Sequence, residues 1–244
     1  MGQFTQFAIN GLMSGAIYAL IAVGIVSVYK ATKVVNFAHG YLIMFGAYFY
    51  FTFAVIIPGQ EWAPDWLASW KPSWMLEMRK GLGMFSPLGA VLDWMANIPR
   101  ILLGLVGAVS CNAILGRVIE RTLMRPLMGQ SVFAMIMVTV GLISILSGSA
   151  SLIWTADAAF VPHIAPNTPI RFELFGTMIF LFGADIVNML IALIIFGGIV
   201  TIVKFTKTGI AIRATAEDQS TAYSMGISVP KVFSNAWVLA STTG

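Results

Sequence analysis

Five apolar runs, separated by polar interruptions, organise this chain: Phe7 to Tyr29, Tyr41 to Ile57, Pro99 to Gly116, Ser131 to Trp154 and Ile186 to Val203. Each is close to the ~20 apolar residues that a membrane-crossing helix needs. Val232 to Gly244 starts a sixth run, but so short a helix cannot cross about 30 Å of hydrocarbon. The pattern therefore predicts an all-α polytopic membrane protein with five complete transmembrane helices and the start of a sixth, so the chain reads as a fragment of a longer protein. Residues 1–244 form a single transmembrane domain in this reading.

The interruption at residues 207–230 is polar, carries both signs of charge and lies between two apolar runs. Thr215 is a suitable N-cap, and Asp218 three residues on could reach back to it as in a capping box. A short helix over Ala216 to Met225 is predicted, ended by Gly226, because glycine takes the left-handed C′ conformation without steric cost. Such an element cannot be a span. By physics alone it is as much a solvated turn as a handle for a soluble partner.

Two other interruptions differ in kind. Residues 58–97 are rich in Pro and Gly, and Trp62, Trp66, Trp70 and Trp74 recur at helical spacing. Pro64 and Pro72 break any continuous helix, and Trp favours the membrane–water boundary. This reads as an external, interfacial excursion. Between Thr155 and Gly183, Ile170-Arg-Phe-Glu-Leu174 alternates apolar and polar residues, and Gly176 can turn it into Met178 to Phe182. That predicts a small external β-hairpin. Asp185 reads as the N-cap of the fifth span.

Composition agrees: 58% of residues are hydrophobic and only 10% charged, against about 25% charged in soluble domains. The net charge of +4 is therefore no nucleic-acid signal, since basic residues gather on the cytoplasmic side of membrane proteins. With residues 207–230 in the cytoplasm, the inner side holds Lys30, Lys33, Arg117, Arg121, Arg125, Lys204, Lys207, Arg213 and Lys231. The outer side holds Lys71, Arg79, Lys80, Arg100 and Arg171. Nine against five places the N-terminus outside. One cysteine, Cys111, excludes a disulfide framework, and two distant histidines suggest no metal site.

Local chemistry is sparse. Gly11-Leu-Met-Ser-Gly15 has the small-xxx-small spacing that lets helix backbones meet. Asn36 could cap the second span, beside His39 and Gly40. A polar ring at the mouth of a span faces protein or water, so His39 reads equally as a packing group and as part of a transport path. Thr139 and Gly141 belong to a fourth span rich in hydroxyls, which is either packed deep or lines a polar route. No phosphate loop, hydrolase motif or pair of mid-span acids is present. This disfavours an intramembrane enzyme and an ion-coupled carrier or channel, and no cofactor is called for. What is left is a route across the membrane with no energy source of its own.

Four stretches carry a family resemblance: Gly15-Ala-Ile-Tyr18-Ala-Leu, Val35-Asn-Phe-Ala-His-Gly40, Glu120-Arg-Thr-Leu-Met-Arg125-Pro126, and Thr208-Gly-Ile-Ala-Ile-Arg213-Ala-Thr-Ala-Glu-Asp218 with Ala222 and Met225-Gly-Ile227. The chain resembles the LivH-type permease subunits of branched-chain (hydrophobic) amino-acid ABC importers. The resemblance implies about eight helices in a whole subunit. It also implies a second, homologous permease subunit, two cytoplasmic ATPase subunits and a periplasmic substrate-binding protein as partners, in a bacterial inner membrane. Substrates of such relatives are branched-chain or other amino acids, or urea and amides. Gly209, Arg213, Ala214, Glu217, Asp218, Ala222 and Gly226 would then couple to the ATPase. Asn36, His39, Gly40, Thr139 and Gly141 would be candidates for the substrate path.

Overall fold

A computed structural model describes residues 2–59, 78, 91, 95–127, 129–154, 169–174 and 177–243. The Trp-rich stripe lies outside the described residues.

Among the described residues, five helices are long and apolar enough to cross a membrane. Helix α1 spans Gly2–Thr32, and α2 spans His39–Phe51 and continues through a π-helical turn, Thr52–Ile56. Helix α3 spans Ile98–Ile119 and runs on through a second π-helical turn, Glu120–Met124, and a 3-10 turn, Arg125–Leu127. Helix α4 is Val132–Trp154. Strands β1 (Pro169–Leu174) and β2 (Thr177–Phe182) pair antiparallel, the hairpin expected from the alternation in β1 and the apolar run after Gly176. Helix α5 (Gly183–Phe205) is followed by α6 (Lys207–Glu217), α7 (Gln219–Ser224) and α8 (Val229–Thr242). The protein is thus a polytopic all-α membrane protein carrying one small hairpin. Large apolar side chains such as Leu152, Ile194 and Val106 stand exposed along the spans, as suits helices whose solvent is lipid tails.

Three expectations need correction. Asp185 is not the N-cap of α5, which begins at Gly183 and holds Asp185 in its first turn; the carboxylate still sits where the helix dipole favours negative charge. Thr215 caps nothing. It is a buried interior residue of α6 whose hydroxyl donates to the Ala211 carbonyl. Gly11 and Gly15 meet nothing within 4 Å, so no described part of this chain fills the smooth face they form.

The chain falls into two compact units. One comprises Met1–Tyr18, Tyr50–Gly107 and Ala159–Leu193. Here α3 lies close against the π-turn: a Cβ at Gly104 would come within 2.8 Å of the Ala54 side chain. Arg100 Nε donates to the Ala54 carbonyl at 3.0 Å, taking up an acceptor inside the wide turn. The hairpin is fastened by Gln6, whose amide donates to the Phe180 carbonyl at 2.8 Å and accepts from the Phe180 amide at 2.9 Å.

The other unit comprises Ala19–Phe49, Ala108–Ala158 and Ile194–Gly244. Its core gathers Val28, Leu42, Phe45, Ile119, Leu146 and Trp237, among others. Trp154 stacks on Tyr48 at 4.9 Å and meets Phe45 edge-on at 5.6 Å. Asn112 ties three helices together, its amide nitrogen donating to the carbonyls of Leu42 (3.2 Å) and Ser241 (2.5 Å).

Candidate functional site

Residues 206–228 form a helical pair built on four terminal devices. Thr206 starts α6: its hydroxyl oxygen accepts from the Gly209 amide at 3.2 Å. Gly209 is there because α6 turns back onto the end of α5. A side-chain carbon at that position would run into the carbonyls of Val203 and Ile202. Arg213, one turn on, donates from Nη1 to the carbonyls of Val203 (2.5 Å) and Lys204 (3.3 Å). Two of the orphan acceptors at the end of α5 are thereby satisfied from within the chain.

Asp218 divides the pair. Its backbone is extended (φ −148°, ψ 118°), so it ends α6 and caps α7 at once. One carboxylate oxygen accepts from the Ser220 amide (2.9 Å) and hydroxyl (2.8 Å), the other from the Thr221 hydroxyl (2.6 Å). Those donors, the Thr221 hydroxyl first, hold the Asp218 carboxyl down at about 2, because hydrogen bonds to the ionised form favour it. The far end of α7 closes in a Schellman motif: the Gly226 amide donates to Tyr223 and the Ile227 amide to Ala222, both at 3.0 Å. Gly226 has the left-handed φ of 83° that this needs.

The motif residues thus divide into two sets. Gly209 and Ala222 are buried and Ala214 is half-buried, so they seat the pair. Glu217, Asp218 and Gly226 are exposed. Tyr223 (71%) and Met225 (79%) stand out beside them as exposed apolar side chains. The pair therefore presents an apolar tip with a carboxylate rim.

The second group of candidates is only partly assembled. Asn36 and Thr139 line one enclosed space of about 10 Å³, together with Val28, Met124, Phe233 and Trp237; that is about the room one water centre needs. Asn36 Oδ1 accepts from the Ala38 amide at 3.0 Å and so shapes the start of α2. Asn36 Nδ2 and Trp237 Nε1 have no acceptor among the described residues, so this space is edged by two donors. His39 is also buried, but it packs against Gly24: a Cβ there would come within 2.8 Å of the ring and 2.7 Å of the Thr243 hydroxyl. Neither ring nitrogen has a hydrogen-bond partner among the described residues. Gly40 and Gly141 are exposed with nothing within 4 Å. Thr139 and Gly141 are two residues apart, which on a helix puts them on nearly opposite faces.

Sequence reasoning passed over three buried polar residues. Asn112, in mid-span, was legible as a costly polar group in hydrocarbon. Glu120 hid among the arginines around it. It is fully buried, and its Oε1 accepts from Arg125 Nε at 3.2 Å. Trp237 carried no signal apart from its apolar surroundings.

The family model for the branched-chain amino acid transport system permease component matches residues 7–244. The high-affinity branched-chain amino acid transport system permease protein BraD of Pseudomonas aeruginosa is 22% identical over 240 residues, covering 98% of this chain and 67% of that protein. The LivH permease proteins of Salmonella typhimurium and Escherichia coli are 25% and 24% identical over the same shares. No solved structure matches significantly. With five described helices long and apolar enough to cross a membrane and a family match over nearly its whole length, the chain belongs to the permease components of branched-chain amino acid transport systems.

Proposed function

We propose that this chain is the membrane-spanning subunit of an ABC importer for branched-chain or related amino acids, in a bacterial inner membrane with its N-terminus outside. Energy comes from separate cytoplasmic ATPase subunits, and α6 with α7 is the element they grip. A second permease subunit completes the route, and a periplasmic binding protein delivers the substrate. Urea and small amides belong to the same substrate range.

The observation that carries this reading is the helical pair itself. The Thr206 and Asp218 side chains cap the starts of both helices, Gly226 closes the far end, Gly209 and Arg213 lock the pair to the end of α5, and its outward face offers Glu217, Asp218, Tyr223 and Met225. An exposed apolar tip rimmed by charge is the composition of a protein contact. A stiff attachment lets a push on the tip reach a transmembrane helix. The apolar spans offer no acid pair for ion coupling, so outside energy must enter through such a contact.

Glu217→Lys and Met225→Glu test this, because neither side chain takes part in a cap. In the full transporter, co-expressed with its ATPase and binding protein, each variant should reach the membrane normally. Each should lower substrate-stimulated ATP hydrolysis and uptake together at least tenfold. Normal uptake and normal ATPase assembly in both variants would overturn the docking role.

A further inference from the structure

A groove of about 310 Å³ lies where the last turns of α1 and α5 meet α6. Its walls are apolar: Val23 and Val26 from α1, Ile199, Val200 and Val203 from α5, and Ile212 from α6. Its mouth carries Lys30, Lys204 and Arg213, and no Asp or Glu among the described residues lines it. None of the three cations has an acidic partner among the described residues. Lys204 lies over the Phe205 ring at 5.5 Å, and Arg213 uses one guanidinium nitrogen on the two α5 carbonyls. Three unneutralised charges at one mouth repel one another and call for an anion.

The height of the groove says which anion. Lys30 and Lys204 close the apolar stretches Gln3–Thr32 and Gly183–Phe205, which is where hydrocarbon gives way to headgroups. A free anion would need only the basic mouth. The long apolar wall beneath it, on helices that face lipid, would go unused. A phospholipid uses both: its phosphate meets the cations and its acyl chain runs down the valines. Basic pockets between transmembrane helices on the cytoplasmic side suit anionic headgroups.

We propose that this groove binds one anionic phospholipid, with its headgroup phosphate held by Lys30, Lys204 and Arg213 and an acyl chain laid along Val23, Val26 and Val200. The bound lipid lies against α6, so membrane composition acts on the same helical pair that the proposed coupling uses. The site itself rests on the membrane setting of the chain and on the orientation proposed above.

The test is native mass spectrometry of the purified full-length protein, delipidated and then titrated with phosphatidylglycerol, phosphatidylethanolamine or inorganic phosphate. The unaltered protein should retain one phosphatidylglycerol in preference to phosphatidylethanolamine. Each removed cation near the membrane surface should weaken retention roughly fivefold, so Lys30→Gln with Lys204→Gln should weaken it roughly thirtyfold. Both substitutions leave the Arg213 brace intact. Arg117→Gln with Lys231→Gln removes the same charge elsewhere and should change nothing. Val26→Trp fills the apolar wall without touching charge and should also displace the lipid. The proposal is overturned if the distant pair weakens retention as much as the local one. It is equally overturned if phosphate competes fully with the lipid while Val26→Trp has no effect, since that would mark a simple anion site.

Discussion

Gly209→Ala is the sharpest probe of how the helical pair is attached. The added carbon would overlap the Val203 carbonyl and come within 2.6 Å of the Ile202 carbonyl oxygen. Both are backbone, so no side chain can swing away, and α6 itself must move. Overpacking of this kind costs about 1–3 kcal/mol. The shift also strains the Thr206 cap at Gly209, worth about 1 kcal/mol, and the Arg213 bonds to Val203 and Lys204, worth about 1 kcal/mol more at an exposed site. Together the attachment should lose about 3–5 kcal/mol. At about 1.4 kcal/mol per factor of ten, its local opening becomes hundreds to thousands of times more frequent. Amide hydrogen exchange on the full-length protein in detergent reads this directly: the amides of α6 should exchange faster by that factor, while those of α4 stay unchanged. Gly197→Ala is the control, because nothing lies within 4 Å of that position on α5, and it should leave exchange unchanged or slow it. If Gly209→Ala exchanges like the unaltered protein, α6 does not rest on α5 as described and the stiff attachment is wrong.

Two further outcomes follow from particular bonds. The folded-state carboxyl of Asp218 lies at about 2, below its ordinary 3.8, so the cap's contribution is complete above about pH 4 and lost as pH falls through 2; NMR of the Asp218 carboxyl carbon should show that midpoint, and a midpoint near 4 would mean the Thr221 and Ser220 bonds are not formed. Asn112→Leu removes the ties to Leu42 and Ser241; at about 0.6 kcal/mol per interhelical bond in membranes, denaturation in mixed detergent should show a loss of about 1–2 kcal/mol, and an unchanged midpoint would count against the three-helix tie.

Periodicity made the spans and the hairpin legible, because a long apolar run has few alternatives and Ile170 to Leu174 alternates cleanly before the turn at Gly176. The helical pair was legible as a segment but not in its parts. Thr215 and Asp218 have the right spacing for a capping box, yet Lys207 to Glu217 closes as one helix once Gly209 lets it dock on α5. That tertiary contact outweighs the local cap and leaves Asp218 to start the next helix. Gly226 was read correctly, since its role depends only on local backbone geometry. Among the path candidates, Asn36 and Thr139 come together and Gly141 does not. A hydroxyl or glycine in a span says nothing about azimuth until its neighbours are known. For the same reason Gly11 and Gly15 looked packed and stand open, while Gly24, which carries no distinguishing motif, is pressed against His39.

The fastening of the hairpin has a further consequence. Phe180 pairs with Arg171 across the sheet, yet its own amide and carbonyl are both taken by the Gln6 side chain, so they point away from β1 toward the open edge. A primary amide has the donor and acceptor of a peptide unit, and Gln6 therefore acts as a third strand one residue long. An open edge invites strand addition from another chain. Here the middle of that edge is already occupied from within, so a passing extended peptide finds no continuous ladder to join, and a two-stranded ribbon too small to hold itself together can stand at a membrane surface without seeding association.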